Sequence, residues 1–150
     1  MTYRIREAMS SDIDVLVEII RTSFQAVAER FGLTPHDSPT HPSNCRAEWL
    51  LREMNRGVTF YLLEVDDQPV GCAALERVND EVIYLERLAV LPGQRRLGFG
   101  EALVRHILSK ARLVHARRVD IGIIAEDQDL ASWYAKLGFE EVESEKYPQL

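Results

Sequence analysis

A strand, a turn and a helix follow one another near the middle of the chain, and this order constrains the fold more than any other feature. The segment "EVIYLERLAVL" (Glu81–Leu91) has the apolar and β-branched character of a strand. Pro92–Leu97 predicts a turn because it contains proline and glycine. Gly98–Val114 then carries apolar residues at helical spacing: Phe99, Leu103, Ile107 and Ala111. The helix should therefore pack one face against a sheet.

The other segments predict a mixed order of strands and helices. Before this unit, the patterns predict a strand, two helices and a hairpin, over Tyr3–Ala8, Ile13–Phe31, Cys45–Asn55, Val58–Val65 and Pro69–Val78. Leu33–Asn44, with three prolines, predicts a loop. After the unit we expect a strand, a helix and the start of another strand, over Val119–Ala125, Asp129–Leu137 and Phe139–Val142. The order β-α-α-β-β-β-α-β-α-β predicts one α/β (mixed α+β) domain over residues 1–150.

Composition narrows the class of function. A net charge of −6 and a pI near 5.2 argue against nucleic acid as a partner. Cys45 and Cys72 are too few for a disulfide scaffold, and no Cys/His cluster predicts a metal site. The polar start "TYRIRE" predicts no signal peptide, and no apolar run is long enough to predict a membrane span, so we expect a cytoplasmic protein without a membrane partner.

Arginines and glycines at the start of the central helix predict an anion site. Helix N-termini offer unpaired N–H groups, and glycines let a phosphate approach the backbone. The sequence lacks the Lys-Ser/Thr pair of a P-loop, since Phe99 and Gly100 stand there. Leu103 replaces the third glycine of a dinucleotide fingerprint, although Asp120 keeps that alternative open. A turn with solvated arginines and no ligand also remains an alternative.

Three segments resemble the GNAT superfamily of N-acetyltransferases. In "LAVLPGQRRLGFGEAL", Arg95, Gly98 and Gly100 match the acyl-CoA motif [QR]-x-x-G-x-[GA] of that family. The segment "YRIREAMSSDIDVLVEI" resembles its first strand and helix, and "LASWYAKLGFEEV" resembles its late A-x-x-Y-x-x-x-G-F motif. The resemblance covers most of the chain, and implies a mostly antiparallel twisted sheet and acetyl-CoA as co-substrate without a metal.

The resemblance also implies which residues bind the acyl donor. The pantetheine arm would pair with the end of the strand, at Leu88, Ala89 and Val90. A backbone N–H near Val90 would polarise the thioester carbonyl. The pyrophosphate would lie against the turn and the helix start, at Arg95, Arg96, Leu97, Gly98, Phe99, Gly100 and Glu101.

Two side chains are candidates for proton transfer. Tyr134, the tyrosine of the late motif, is the candidate acid that protonates the leaving thiolate. Glu86 is the candidate base, and strand alternation predicts that it shares a face with Leu88 and Val90. The alternatives are that Tyr134 only packs in its helix and that Glu86 forms a salt bridge or is exposed. His36 and His41 lie in the predicted loop, where they could contact substrate or be solvated.

The sequence predicts an N-acetyltransferase acting by direct attack in a ternary complex, with a small-molecule or peptide amine as acceptor. The alternatives are a non-catalytic acyl-CoA-binding module and a nucleotide-dependent enzyme. Only "SEKYPQL" follows the strand begun at Phe139, whereas the GNAT sheet usually ends in a hairpin. Either the final strand is absent, the chain is truncated, or a partner such as a second copy in a homodimer covers the edge.

Overall fold

Alternating apolar residues build a five-stranded sheet. The computed structural model describes residues 2–123 and 127–142. The strands are β1 (Tyr3–Glu7), β2 (Thr59–Val65), β3 (Gln68–Arg77), β4 (Val82–Val90) and β5 (Arg118–Ile121), in the spatial order β1-β2-β3-β4-β5. The helices are α1 (Ile13–Arg30), α2 (Ala47–Asn55), α3 (Phe99–Leu113) and α4 (Gln128–Lys136). The predicted fold class, a mixed α/β fold with a mostly antiparallel sheet, is confirmed.

The first four strands pair antiparallel, each with its neighbour in sequence. Only Asp66 and Asp67 separate β2 from β3, and both have positive φ values, 50° and 65°. Two positive φ values in succession are required by the type I′ turn, whose twist matches that of a hairpin, and Asp tolerates this conformation. This turn therefore sets the β2–β3 pairing at Val65 and Glu64, beyond which the register shifts by one residue at Val70.

The two faces of the sheet are covered by different helices. Phe60 and Leu62 of β2 and Cys72 and Ala74 of β3 lie in one buried cluster with apolar residues of α1 and α2. The residues between them point to the other face, where a Cβ at Gly71 would come within 3.2 Å of Leu103 in α3. Helices α1 and α2 thus pack on one face of β2–β4, and α3 packs on the other.

Among the described residues, 2–120 form one compact unit and those from 121 onward form a second. In the second unit, the strand predicted to begin at Phe139 is wrong: residues 139–142 are not in a strand. The N–H of Phe139 donates to the carbonyl of Tyr134 at 3.1 Å, directly after Gly138 with φ 102°. This bond ends α4, so Phe139 finishes the helix instead of starting a ladder. Residues 124–125, the end of the strand predicted over Val119–Ala125, lie outside the described residues.

No helix among the described residues is long and apolar enough to cross a membrane.

One half-buried histidine of α3 packs against β2. The ring of His106 contacts that of Tyr61 edge-on, with centroids 4.6 Å apart. Its Nε2 is buried and has no hydrogen-bond partner within residues 2–123 and 127–142. Burial, helped by the charge of Lys110, lowers the pKa of His106, because a protonated imidazole would lose its hydration there. The folded state therefore favours the neutral ring.

This burial predicts a loss of stability in acid. The unfolded chain binds the His106 proton more readily than the folded one, so the contribution of the neutral ring is lost as pH falls below about 6.5. We expect His106→Phe to reduce the difference in unfolding free energy between pH 8 and pH 5.5, by less than about 1 kcal/mol. Urea unfolding at the two pH values measures it. The matched control is His36→Gln, at an exposed loop position; an unchanged difference in His106→Phe would contradict the assignment.

Candidate active site

The turn between β4 and α3 exposes the start of α3. Strand β4 ends at Val90, a short 3-10 turn spans Pro92–Gln94, and α3 begins after Gly98. Gly98 has φ 86°, in the left-handed region that favours glycine. The first helical bond runs from the N–H of Ala102 to the carbonyl of Gly98, at 3.0 Å. The N–H groups before Ala102 in α3 thus have no partner within the helix, and can hold an anion.

The predicted donor-site residues have unequal access to solvent. Arg95, Arg96, Leu97, Gly98 and Glu101 are exposed, and Gly100 is partly buried. The side chain of Phe99 is buried and contacts Tyr3 with ring centroids 5.9 Å apart, so only its backbone faces the turn. In β4, Ala89 is buried, and Leu88 and Val90 are partly buried.

Arg95 braces the turn. Its Nε donates to the carbonyl of Val90 at 3.1 Å, and its Nη2 donates to the carbonyl of Ser23 in α1 at 2.7 Å. The guanidinium therefore joins the end of β4 to α1 across the turn. The neighbouring Arg96, with φ 65°, is exposed. Arg95 is thus bound to protein carbonyls, and Arg96 is the exposed arginine of the turn.

A β-bulge interrupts β4 next to Glu86. Ala74 of β3 pairs with Glu86 and Cys72 pairs with Ala89, so Ala73 alone faces both Arg87 and Leu88. Arg87 has φ 56°, a conformation that costs a non-glycine residue about 1–2 kcal/mol. An extra residue of this kind reverses the alternation of side chains beyond it.

The bulge overturns one prediction about Glu86. Glu86 lies opposite Ala74, on the face covered by α1 and α2, whereas Val90 lies opposite Gly71, on the α3 face. The prediction that Glu86 and Val90 share a face is therefore wrong, because it assumed unbroken alternation. Glu86 instead shares its face with Ala89.

The carboxyl of Glu86 is held in an unusual environment. Its Oε1 is fully buried and has no hydrogen-bond partner, and Glu86 forms no ion pair, among the described residues. Burial, the neighbouring carboxyl of Glu76 and the charge of Glu53 raise the pKa of Glu86 to about 7, against the lowering effect of Arg87. A carboxylate with a pKa near 7 can take a proton at neutral pH. The two alternative roles for Glu86, a salt bridge and an exposed carboxylate, therefore do not fit this environment.

Tyr134 lies in the second unit. It is buried in α4, and its ring contacts those of Trp133 and Phe139 edge-on, with centroids 4.9 and 5.4 Å apart. Asp127 caps this helix by accepting from the N–H of Leu130 at 3.1 Å. Burial raises the pKa of the Tyr134 phenol, which therefore stays protonated at neutral pH.

Two histidines predicted in a loop differ in their surroundings. His36 is exposed. His41 packs edge-on against Phe24 of α1, with ring centroids 6.0 Å apart, and its Nδ1 lies 2.8 Å from the hydroxyl of Ser43. Burial lowers the pKa of His41.

In the part of the chain that the structure describes, no group of three or more His, Cys, Asp or Glu side chains could hold a metal ion.

Sequence reasoning missed three charged residues around Glu86 and a fourth that pairs with one of them: Glu53, Glu76, Arg87 and Arg56. Glu53 of α2 meets Arg87 at 2.7 Å, and Arg56 meets Glu76 at 3.3 Å. These pairs join residues far apart in sequence, and the local patterns around them carry no signal of the contact.

Comparisons with known proteins agree on one family. The model of the Acetyltransferase (GNAT) family matches residues 16–139. An amino-acid acetyltransferase of Neisseria meningitidis is 30% identical over 146 residues, which are 97% of this chain and 29% of that relative. This chain thus corresponds to a minor part of the relative's length.

Solved structures give the same result for the fold. An N-acetyltransferase (PaiA) of Thermoplasma acidophilum, in complex with coenzyme A, superposes with a TM-score of 0.85 at 19% identity, covering 97% of this chain and 94% of that one. The N-acetylglutamate synthase of Neisseria gonorrhoeae, complexed with coenzyme A and N-acetyl-glutamate, gives a TM-score of 0.70 at 27% identity, covering 95% of this chain and 29% of that one.

The bracing contacts of Arg95 predict different effects for two adjacent arginines. Arg95→Gln removes hydrogen bonds to two backbone carbonyls and should lower the free energy of unfolding by about 1 kcal/mol. Arg96→Gln is the matched control, since it deletes the same charge at an exposed position and should leave stability within about 0.5 kcal/mol. Urea unfolding of both variants measures the difference. Equal stability of the two would contradict the bracing role.

Proposed function

This chain belongs to the GNAT acetyltransferase family, and we propose that it transfers the acetyl group of acetyl-CoA to a primary amine by direct attack in a ternary complex. The observation that carries the proposal is the order β4, turn and α3, in which Gly98 opens a helix start with unpaired N–H groups. Positioning of a thioester that is already activated can supply much of the rate acceleration.

The proposed donor site uses the backbone more than side chains. The N–H groups at Phe99, Gly100 and Glu101 would bind the pyrophosphate, with Arg96 adding positive charge. Arg95 and Leu97 shape the turn. The end of β4, at residues 88–90, would pair with the pantetheine arm. The exposed helix start fits an anion because, among the described residues, no side chain caps it.

Glu86 is the proposed base. Acetyl-CoA supplies an activated acetyl group: a carbon–nitrogen bond forms to the amine while the carbon–sulfur bond breaks. Glu86 would take the proton that the amine loses, directly or through water. The value near 7 for its pKa supports this role, because an ordinary glutamate is a much weaker base at neutral pH.

Tyr134 is the proposed acid. Its phenol would donate its proton to the leaving sulfur and then regain one from solvent. The raised pKa of Tyr134 supports a protonated donor across neutral pH. The motif "ASWYAKLGF" supports the assignment independently of this environment.

The proposed acceptor is a small-molecule amine. The Neisseria meningitidis relative is named an amino-acid acetyltransferase, and a Neisseria gonorrhoeae neighbour is complexed with N-acetyl-glutamate. Both names place amino acids first in an acceptor panel. A suitable panel contains L-glutamate, L-lysine, spermidine and a short peptide with a free N-terminus.

The donor site predicts selective stabilisation by coenzyme A. Because a ligand that binds only the folded state stabilises it, acetyl-CoA at about 100 times its Kd should add about 2.7 kcal/mol of stability. Thermal unfolding with acetyl-CoA, NAD or ATP measures this. The account fails if NAD or ATP raises the Tm and acetyl-CoA does not.

The proton-transfer roles predict losses in turnover. At pH 7, Glu86→Gln should lower kcat by about a hundredfold or more, since the amide cannot accept the proton. Tyr134→Phe should lower kcat by at least about tenfold while the Kd for acetyl-CoA is retained. Release of free thiol across the amine panel measures both.

Two variants serve as controls for this assay. Tyr61→Phe alters another buried tyrosine with a raised pKa, and Glu81→Gln alters an exposed carboxylate just before β4; both should keep wild-type turnover. Wild-type kcat in Glu86→Gln or Tyr134→Phe would remove that residue from the mechanism. Thiol release at the background rate with every amine would favour the non-catalytic acyl-CoA-binding module.

A further inference from the structure

Five charged residues from α2, β3 and β4 meet on one face of the sheet. They are Glu53, Arg56, Glu76, Glu86 and Arg87, and we call them the Glu86 cluster. Two ion pairs hold the cluster, Glu53–Arg87 and Arg56–Glu76, while Glu86 itself forms no ion pair with a described residue. The cluster therefore sets the surroundings of the proposed base.

The first ion pair anchors the bulge. Nη2 and Nε of Arg87 donate to the two carboxylate oxygens of Glu53, at 2.7 and 3.2 Å. Both side chains are largely buried, with 17% of Arg87 and 9% of Glu53 exposed. The guanidinium also lies 6.0 Å from the ring centroid of Trp49. These contacts offset the cost of the left-handed backbone at Arg87 and keep Glu86 on the α2 face.

The second ion pair places another carboxylate beside Glu86. Glu76 pairs across the strands with Tyr84, and Glu86 pairs with Ala74, so Glu76 and Glu86 are diagonal neighbours on one face. Arg56, at the end of α2, binds Glu76 at 3.3 Å, and its side chain is largely exposed. The carboxylate of Glu76 raises the pKa of Glu86 in this arrangement, since a like charge disfavours ionisation of its neighbour.

We propose that Glu76 is a positioning residue for acetyl transfer, which acts through Glu86 by holding a second carboxyl against it. The proposal rests on the proposed function, in which Glu86 is the base. Glu76 makes no contact with the reactants in this account; it keeps Glu86 able to take up a proton near neutral pH. Arg56 sets how strongly Glu76 acts, because it partly neutralises the Glu76 charge.

The other ionisable groups on this face are two buried thiols and the phenol of a tyrosine. Burial raises the pKa of Cys72 to about 12, and burial also raises the pKa of Cys45, so both thiols stay neutral near pH 7. Tyr84 lies on the same face, opposite Glu76. The charges that face Glu86 are thus Glu76 from β3, Glu53 from α2 and Arg87 from β4 itself.

The first experiment follows Glu86 without any substrate. In protein labelled with ¹³C at glutamate side-chain carboxyls, the signal lost in Glu86→Gln identifies Glu86, and NMR gives its titration midpoint. Glu76→Gln should lower this midpoint by about one pH unit, because the neighbouring carboxylate is gone. Arg56→Met should raise it, because Glu76 then carries its full charge. Asp80→Asn deletes an exposed carboxylate in the β3–β4 turn and should leave the midpoint unchanged.

The second experiment measures the acid side of the pH profile of kcat/KM, with acetyl-CoA and the best acceptor of the panel. The same acceptor is used for every variant, so titration of the amine is common to all. The profile should move to lower pH in Glu76→Gln and to higher pH in Arg56→Met. Glu76→Asp, which retains the charge, should lie nearer the wild type than Glu76→Gln does.

The two experiments distinguish a failure of the role proposed for Glu76 from a failure of the role proposed for Glu86. An unchanged NMR midpoint in Glu76→Gln would overturn the role of Glu76, whatever the base is. A moved midpoint with an unmoved pH profile would show that Glu86 does not act as the base, and would overturn the proposed mechanism with it. Both side chains of the Glu76–Arg56 pair are partly exposed, at 29% and 56%, so both variants should fold.

Discussion

The ion pair between Arg87 and Glu53 fixes an extra residue in β4, and the arrangement of the candidate site depends on it. Without the bulge, strict alternation would carry Glu86 and Val90 to the same face of the sheet. With it, Glu86 faces α2 while Val90 faces α3. The carboxyl proposed to accept the proton and the strand end proposed to bind the donor therefore lie on opposite faces of one strand, only a few residues apart.

The same strand leads directly into the donor site. After Val90 the chain turns through Pro92–Gln94 and enters α3 at Gly98, and Arg95 holds this turn against α1 through the carbonyl of Ser23. The bulge and the brace are both built from arginines that bind protein groups at short distance. Arg95 binds two backbone carbonyls and Arg87 binds the carboxylate of Glu53, whereas Arg96 and the helix start are the groups proposed to meet an anion. The candidate donor site is therefore formed by the main chain of the turn and the helix start, and arginine side chains stabilise that main chain.

Periodicity in the sequence predicted most of the fold. Apolar spacing gave the four helices and the strands of the β2–β3–β4 meander, because these depend on local preference and on one buried face. The glycines at residues 98 and 100 located the helix start, because they too are a local feature of the sequence. Periodicity could not show the bulge, since the Arg87–Glu53 contact joins residues distant in sequence. It also assigned Phe139 to a strand, where its N–H instead ends α4.

The central claim is that acetyl-CoA binds between the end of β4 and the start of α3. Amide chemical shifts in a ¹⁵N-labelled sample, followed while coenzyme A is added, test this residue by residue. The account predicts the largest changes at Leu88–Val90 and at Gly98–Glu101, with amides of the hairpin turn at Asp66 and Asp67 unmoved. Saturable changes confined to other parts of the chain, with residues 98–101 unaffected, would contradict it.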